Sequence, residues 1–249
     1  MKIIKGIPGL LYKGYAGVIF SATLVIFYPP LYFLVRSEKT QSFSMRVFTL
    51  WSQAFHYLIL MPPHRKISAA LSNQQPMIIC ANHASYMDIT IMHSVLRNKK
   101  IIFMGKHEIL GYPLLNHFFK TLHIPVNRDD KHQSARAFVK AIRALKNGWS
   151  VVIFPEGGIP DGQRPKMVPF KPGAFRLAQS AGVPILPITF VNNYRLFSDP
   201  EDLWGKARPG ISKVVIHQPI LPQDYENMSL DELSEQVYKI IDAPLRNLY

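Results

Sequence analysis

The amino-acid sequence predicts an α/β fold in which a mixed sheet is flanked by helices and follows an N-terminal helical hairpin. The sheet is predicted because short apolar runs alternate with amphipathic stretches after Lys66, which is typical of strands alternating with helices. The hairpin is predicted because two apolar segments, residues 14–35 and 47–61, come before that point. We therefore divide the 249 residues into N-terminal helices, residues 1–66, and an α/β domain, residues 67–249.

The hairpin is expected to anchor the protein in a membrane. Residues 14–35 form a run of 22 residues without a charge, and a helix needs about 20 apolar residues to cross the hydrocarbon core. Residues 47–61 are short for a span and fit an interfacial helix. Pro29-Pro30 is expected to kink the first helix, Pro62-Pro63 to end the hairpin, and His64-Arg65-Lys66 to lie among anionic head groups. The alternatives are a signal peptide and a helix pair buried in a soluble core.

Hydrophobic periodicity places the elements of the domain in order. Short apolar runs predict strands at residues 77–80, 101–104, 122–126, 151–154, 185–190 and 213–217. Helical spacing predicts helices at residues 87–96, 135–145 and 175–180. Gly148 and Gly182 are expected to end the second and third of these helices. Ser229 followed by Glu232 is a capping box, which predicts where the last helix begins.

The charge balance indicates an anionic partner. Lys and Arg number 29 against 16 Asp and Glu, a net charge of +13, and the excess lies in residues 1–66 and 131–180. Nucleic acid, anionic lipid and a phosphate-bearing substrate all fit such a surface. The chain has one cysteine, which excludes a disulfide framework, and His107, His117 and His123 have no mutual metal-ligand spacing. Because no nucleic-acid motif occurs and most N-terminal aromatics lie in uncharged runs, a nucleic-acid partner is not expected.

Two stretches at predicted strand ends have the residues of a catalytic site. His83 and Asp88 follow the strand at 77–80, and an aspartate that accepts one imidazole N–H leaves the other nitrogen basic, as a general base for an alcohol requires. Phe154-Pro155-Glu156-Gly157-Gly158 ends the strand at 151–154, and such glycines let backbone N–H groups approach a phosphate or an oxyanion. Gln163 stands where a phosphate-binding Walker loop has lysine, and no Gly-x-Ser-x-Gly elbow occurs.

Together these stretches resemble the glycerolipid acyltransferase family, and within it the bacterial 1-acylglycerol-3-phosphate acyltransferases. The four motifs of that family occur in order between residues 75 and 190. The matching stretches are Asn82-His83-x4-Asp88, Ile124-Pro125-Val126-Asn127-Arg128, Phe154-Pro155-Glu156-Gly157 and Val183-Pro184-Ile185-Leu186-Pro187. A further stretch, Phe170-Lys171-Pro172-Gly173-Ala174, is similar to one that often follows the third motif.

The resemblance implies a membrane-bound enzyme of phospholipid synthesis. It would move a fatty acyl group from a thioester, acyl-CoA or acyl carrier protein, to the free hydroxyl of lysophosphatidic acid, giving phosphatidic acid. The expected partners are the lipid bilayer, lysophosphatidic acid and the acyl donor. No metal and no cofactor beyond the thioester co-substrate are expected. The expected location is the cell inner membrane, with the catalytic domain on the cytoplasmic face.

The resemblance also implies roles for individual residues. His83 is expected to be the general base and Asp88 to orient it. The substrate-binding residues are expected to be Asn82, Arg128, Glu156, Gly157 and Gly158. Within that set, Arg128 would bind the acceptor phosphate, and the glycine N–H groups would hold the thioester oxyanion.

One departure from the family pattern leaves the acceptor head group open. The third motif of the family usually continues Gly-Thr-Arg, but Gly158 and Ile159 stand where threonine and arginine are expected. Arg164 and Lys166, on the loop that follows, are the candidates to replace that arginine. Two alternatives therefore stay open: acylation of another lysolipid, such as a lyso-aminolipid without phosphate, and a non-catalytic membrane-binding module that keeps the fold.

Overall fold

A helical hairpin forms the N-terminal part of the chain. The computed structural model describes residues 2–67, 76–97, 99–107, 111, 113–127, 130–160, 165–198 and 202–248. Helix α1, Lys2–Leu34, turns back at residues 35–37 into helix α2, Glu38–Leu58. Helix α1 runs through Pro29 and Pro30 to Leu34, and the kink expected there stays a prediction. Tyr28 and Tyr32 pack there on an aromatic cluster of the domain, which holds the last turns in place.

In the described part of the chain, seven strands form one sheet. Their order across the sheet is β1-β7-β6-β2-β5-β3-β4. All neighbours are parallel except β6 and β7, which are antiparallel, so the predicted mixed sheet is confirmed. The strands are β1 Pro63–Ile67, β2 Ile78–Ala81, β3 Ile101–Lys106, β4 Ile124–Val126, β5 Ser150–Ile153, β6 Ile185–Phe190 and β7 Ser212–Ile216.

Helices flank this sheet, as the sequence predicts. The longer ones are α3 Met87–Leu96, α4 Pro113–Thr121, α5 Lys131–Lys146, α6 Gly173–Ala181 and α9 Leu230–Asp242, and the short ones are α7 Asn193–Leu196 and α8 Pro222–Tyr225. Gly182 ends α6 in the left-handed conformation (φ 61°), which glycine adopts without steric cost. The Ser229 hydroxyl accepts the N–H of Glu232 at the start of α9, as the capping box predicts.

Strand β1 lies across the division that the sequence suggested at residue 66. Residues 63–67 pair in parallel with Ser212–Ile216 of β7, so the sheet includes a strand that comes before the first predicted one at residues 77–80. The guanidinium of Arg65 donates to the carbonyl of Val95 (2.7 Å), which turns this side chain towards the domain instead of a head group. The strand carries two cations and a histidine and lies at a sheet edge, so it lacks the apolar alternation that predicts strands.

The hairpin packs closely against the domain. The Thr49 hydroxyl of α2 donates to the carbonyl of His93 in α3 (3.3 Å), and the imidazole of His56 shares a hydrogen bond with Thr90 (2.8 Å). Near its N-terminal end, α1 contacts the loop around residues 204–207. Cβ atoms added at Gly6 and Gly9 would come within 3.0 Å of atoms in that loop. The first helix therefore contacts the domain near both of its ends and packs on α2 between them.

The outer faces of the hairpin are apolar and exposed. Leu11, Val18 and Val25 recur every seven residues on α1 and are 70%, 67% and 68% exposed. Such a spacing places side chains on one helix face. On α2, Phe43, Leu50 and Tyr57 repeat the same spacing and are also exposed. Of the described helices, one segment, Gly6–Leu34 within α1, is long and apolar enough to cross a membrane, with a mean hydropathy of 1.7.

Candidate active site

The two sequence motifs meet at one edge of the sheet. Strands β2 and β5 are parallel neighbours in its centre, so the loops that follow them lie side by side at their carboxyl ends. His83 comes two residues after β2, and Glu156 comes three residues after β5. The backbone N–H of His83 donates to Oε1 of Glu156 (2.8 Å), which joins the two loops directly.

His83 and Asp88 form the pair that the sequence predicts. Nδ1 of His83 lies 3.0 Å from Oδ2 of Asp88. Because an ionised carboxylate only accepts, Nδ1 carries the proton and Nε2 is left as the basic nitrogen. The imidazole stacks on Phe154, with ring centroids 4.1 Å apart, and keeps 11% of its side-chain surface exposed. The ring is thus fixed in plane and still open to a reacting hydroxyl.

Asp88 is fully buried and held by four donors. Its Oδ2 accepts the N–H groups of Ala84 (2.7 Å) and Ser85 (2.8 Å) besides His83. Its Oδ1 accepts the amide of Asn193 (2.6 Å). These contacts satisfy both carboxylate oxygens and fix their direction, since a buried polar group needs such partners.

Asn193 and Ser212 are positioning residues that the sequence reasoning missed. Both are fully buried, and the Ser212 hydroxyl donates to the side-chain oxygen of Asn193 (2.6 Å). Asn193 follows β6, and Ser212 begins β7, which runs antiparallel and so starts at the edge where β6 ends. The polar residue after a predicted strand was the available signal for Asn193. No local signal marks Ser212, because its place depends on the pairing of two distant strands.

Glu156 is a buried scaffold residue of the site. Besides the N–H of His83, its carboxylate accepts the N–H of Val168 on Oε2 (3.1 Å). It thus ties the His83 loop to the segment beyond the third motif. The predicted contact of Glu156 with substrate stays a prediction.

Asn82 connects the same loop to β6. Its side-chain amide donates to the carbonyl of Phe190 (3.0 Å), and its side-chain oxygen accepts the N–H of Phe190 (2.7 Å). This bidentate pairing continues the β2–β6 ladder by one residue and sets where His83 begins. The structure therefore gives Asn82 a positioning role, and its contact with substrate stays a prediction.

The two glycines of the third motif differ in what their N–H groups do. Gly157 has a φ of 94°, and its N–H donates to the carbonyl of Phe154 (3.0 Å) within a tight turn. That N–H is therefore not directed at an oxyanion, contrary to the expectation. The N–H of Gly158 has no acceptor among the described residues, which leaves it as the oxyanion donor to consider.

Of the three cations predicted to bind the substrate phosphate, the structure describes one. Arg128 and Arg164 lie outside the described residues. Lys166 is described and exposed. Among the described residues, no group of three or more His, Cys, Asp or Glu side chains is arranged to hold a metal ion.

Comparison with known proteins identifies the family. A family model described as Acyltransferase matches residues 64–191, just over half of the chain. The chain belongs to this acyltransferase family. All four predicted motifs fall inside the matched residues. The matched segment begins within β1, which agrees with the place of that strand in the sheet.

Several acyltransferases are similar to the chain. A chloroplastic 1-acyl-sn-glycerol-3-phosphate acyltransferase of Brassica napus is 26% identical over 87% of this chain and 61% of its own length. The enzyme of that name in Chlamydomonas reinhardtii is 30% identical over 69% of this chain and 49% of its own length. The one in Borreliella burgdorferi is 32% identical over 52% and 51%. The chain thus spans about half to three fifths of the length of these relatives.

A solved structure shares the fold of this acyltransferase. The crystal structure of the 1-acyl-sn-glycerophosphate (LPA) acyltransferase from Thermotoga maritima superimposes with a TM-score of 0.76. The two chains are 24% identical, and the superposition covers 100% of this chain and 98% of that one. The hairpin and the domain are therefore both part of a known acyltransferase architecture.

Proposed function

We propose that this acyltransferase moves a fatty acyl group from an acyl thioester to the free hydroxyl of lysophosphatidic acid, giving phosphatidic acid. The observation that carries the proposal is the oriented His83–Asp88 pair, with its basic Nε2 open to substrate. The names of the related enzymes support the same acceptor. Acyl-CoA and acyl carrier protein are the two thioesters that the proposal admits.

The proposed reaction is a direct transfer without a covalent enzyme intermediate. Nε2 of His83 takes the proton of the acceptor hydroxyl, and the hydroxyl oxygen attacks the thioester carbonyl carbon. The tetrahedral intermediate then collapses, the C–S bond breaks, and the leaving thiolate takes the proton back from His83. General base catalysis of this kind contributes about 10²- to 10⁴-fold in rate.

Two further groups support this reaction. Asp88 holds the imidazole in one tautomer and stabilises the imidazolium without taking the proton itself. The N–H of Gly158 is proposed to donate to the thioester oxyanion. The loss of one such donor typically costs about 3–4 kcal/mol of transition-state stabilisation.

We propose that the hairpin lies in one leaflet instead of crossing the bilayer. Helix α1 contacts the domain near both of its ends, so a crossing would draw polar parts of the domain into the hydrocarbon. The apolar faces of α1 and α2 instead suit insertion parallel to the surface, with the active site next to the lipid. The proposed location is the cell inner membrane, with the domain on the cytoplasmic face.

The proposal is tested with the full chain reconstituted in anionic phospholipid vesicles. Lysophosphatidic acid is supplied with acyl-CoA or with acyl carrier protein, and the product is identified by mass spectrometry. His83→Ala should abolish transfer while lysophosphatidic acid still binds. His132→Ala, which removes an exposed histidine from the start of α5, serves as the matched control and should keep full activity. Wild-type turnover by His83→Ala would refute the mechanism.

A second acceptor is favoured by one specific observation. Gly158 and Ile159 replace the Thr-Arg of the family's third motif, so one phosphate-binding cation is missing from its usual position. A lysolipid without phosphate, such as a lyso-aminolipid, is therefore the second candidate. Rates with the two acceptors at equal concentration decide between them, since the enzyme will prefer the acceptor whose head group its cations fit.

A further inference from the structure

An open cleft of about 770 Å³ lies beside the catalytic histidine. Its lining includes Met104 of β3, Val126 of β4 and Ile153 of β5, which lie in the carboxyl-terminal halves of these strands. Its volume falls within the roughly 300–1,000 Å³ of typical small-molecule sites. Phe154 lines the cleft and also stacks on His83, so a single aromatic ring separates the cleft from the reacting nitrogen.

The cleft is apolar inside and cationic at its borders. Phe138 and Val139 of α5 and Ala174 of α6 add to the apolar lining. Lys131 at the start of α5 and Lys171 and Arg176 at the start of α6 also line it, and all three side chains are exposed. None of the three cations forms an ion pair with a carboxylate in the described part of the chain. Their charges are thus available to an anionic ligand.

Apolar walls bordered by three exposed cations fit an amphiphile that has a phosphate head group and an acyl chain. Both lysophosphatidic acid and an acyl thioester have this chemistry. In lysophosphatidic acid, the phosphate is only a few bonds from the reacting hydroxyl. In acyl-CoA and in acyl carrier protein, the whole pantetheine arm separates the thioester from the nearest phosphate. Because the cleft adjoins His83 through one ring, the short separation fits better.

We propose that this cleft binds the lysophosphatidic acid acceptor, with its phosphate at Lys131, Lys171 and Arg176 and its chain along the apolar walls. The inference rests on the proposed function and adds the residues that select the head group. It also accounts for the third motif: the cation missing at Ile159 is replaced from α5 and α6. Lys166, one of the two replacements that the sequence offered, is not among the residues that line the cleft.

The test is a set of charge-neutral variants, Lys131→Gln, Lys171→Gln and Arg176→Gln, singly and together. The KM for lysophosphatidic acid should rise about three- to tenfold for each charge removed, because each loses a charge-assisted contact. The KM for the acyl donor should stay unchanged, and so should the rate with a monoacylglycerol, which has no phosphate. Lys146→Gln removes the same charge from the far end of α5, outside the cleft, and is the matched control.

A second variant tests the walls independently of the charges. Val139→Trp fills part of the cleft from an exposed position, so it should lower the rate with long-chain lysophosphatidic acid more than with short-chain acceptor. A rise in the KM for the donor alone would overturn the assignment, as would a triple variant with unchanged constants. Either result would leave the proposed function intact, since that depends on whether the wild type acylates lysophosphatidic acid at all.

Discussion

Replacing Asn193 by alanine removes the donor that holds the outer oxygen of Asp88. The Asn193 amide lies 2.6 Å from Oδ1 of Asp88, and both side chains are fully buried. The substitution leaves a buried carboxylate oxygen without its partner, in a site that water does not freely enter. A hydrogen bond to a charged group contributes about 1.5–3 kcal/mol, so the free energy of unfolding should fall by about that much.

The same change should slow the reaction without weakening substrate binding. Asp88 stabilises His83 most when the imidazole becomes cationic, which happens during the transfer and not in the ground state. If about 1.4 kcal/mol of the lost stabilisation raises the activation free energy, kcat falls about tenfold. The KM for lysophosphatidic acid should be unchanged, because Asn193 contacts Asp88 and Ser212 and not the proposed acceptor cleft.

The assay compares kcat, KM and urea unfolding for Asn193→Ala, Asn193→Asp and Asn192→Ala. Asn193→Asp keeps the shape but sets a second carboxylate against Asp88, so its kcat should fall further than that of the alanine variant. Asn192 ties β7 through Ile211 and Lys213 and does not contact Asp88, so Asn192→Ala should cost stability alone. If Asn193→Ala lost stability but kept the wild-type kcat, the positioning role would be refuted.

Three other outcomes follow from the structure. Glu156→Gln should lower kcat about tenfold, because it replaces one of the two carboxylate oxygens that accept backbone N–H groups with a donor. Burial lowers the pKa of His93 to about 4 and of His123 to about 3. Both imidazoles stay neutral in the folded state, whereas in the unfolded chain they take up protons below about pH 6.5, so the stability they support is full above that pH and falls on acidification. At pH 5 the free energy of unfolding should be lower by about 2 kcal/mol for each histidine. The measurement is the urea midpoint, which should be lower at pH 5 than at about pH 7.5. Val18→Asp with Val25→Asp should weaken sedimentation with anionic vesicles at least tenfold, because a charge at each position opposes insertion of the apolar face.

Each of these has its own control. Glu156→Ala should be more damaging than Glu156→Gln, which keeps one acceptor oxygen. His93→Phe should reduce the acid sensitivity, and an unfolding midpoint equal at the two pH values in the wild type would contradict the burial argument. Ile211→Asp adds a charge at an exposed apolar position of the domain and should leave vesicle binding unchanged. Equal loss of binding in that variant would contradict the role of the hairpin face.

Local patterns in the sequence determined much of the fold. Helix α3 and strand β6 lie at the predicted residues, and the Ser229 cap and the Gly182 stop are where they were expected. These features depend on neighbours within a few residues, so periodicity and capping chemistry suffice to find them. The fold class is confirmed for the same reason.

The contact between His83 and Asp88 could also be predicted from the sequence. His83 and Asp88 are separated by a single turn at the start of α3, so their contact is settled locally. Backbone N–H groups of the same turn supply two of the other donors to Asp88. The geometry of the pair is therefore determined within residues 83–88.

What only the tertiary structure decided depends on partners far apart in the chain. Strand β1 exists because β7, almost 150 residues later, offers it a parallel edge, although its own residues are charged. Asn82 faces Phe190 and Asn193 faces Asp88 across more than 100 residues, which gives Asn82 a positioning contact beside its predicted substrate contact and adds a residue that no motif marked. The cationic cleft likewise assembles from the starts of α5 and α6, which lie side by side only because β5 and β2 are neighbours in the sheet. Hydrophobic pattern determines which segments are helices and strands, whereas their order across the sheet determines which polar side chains meet.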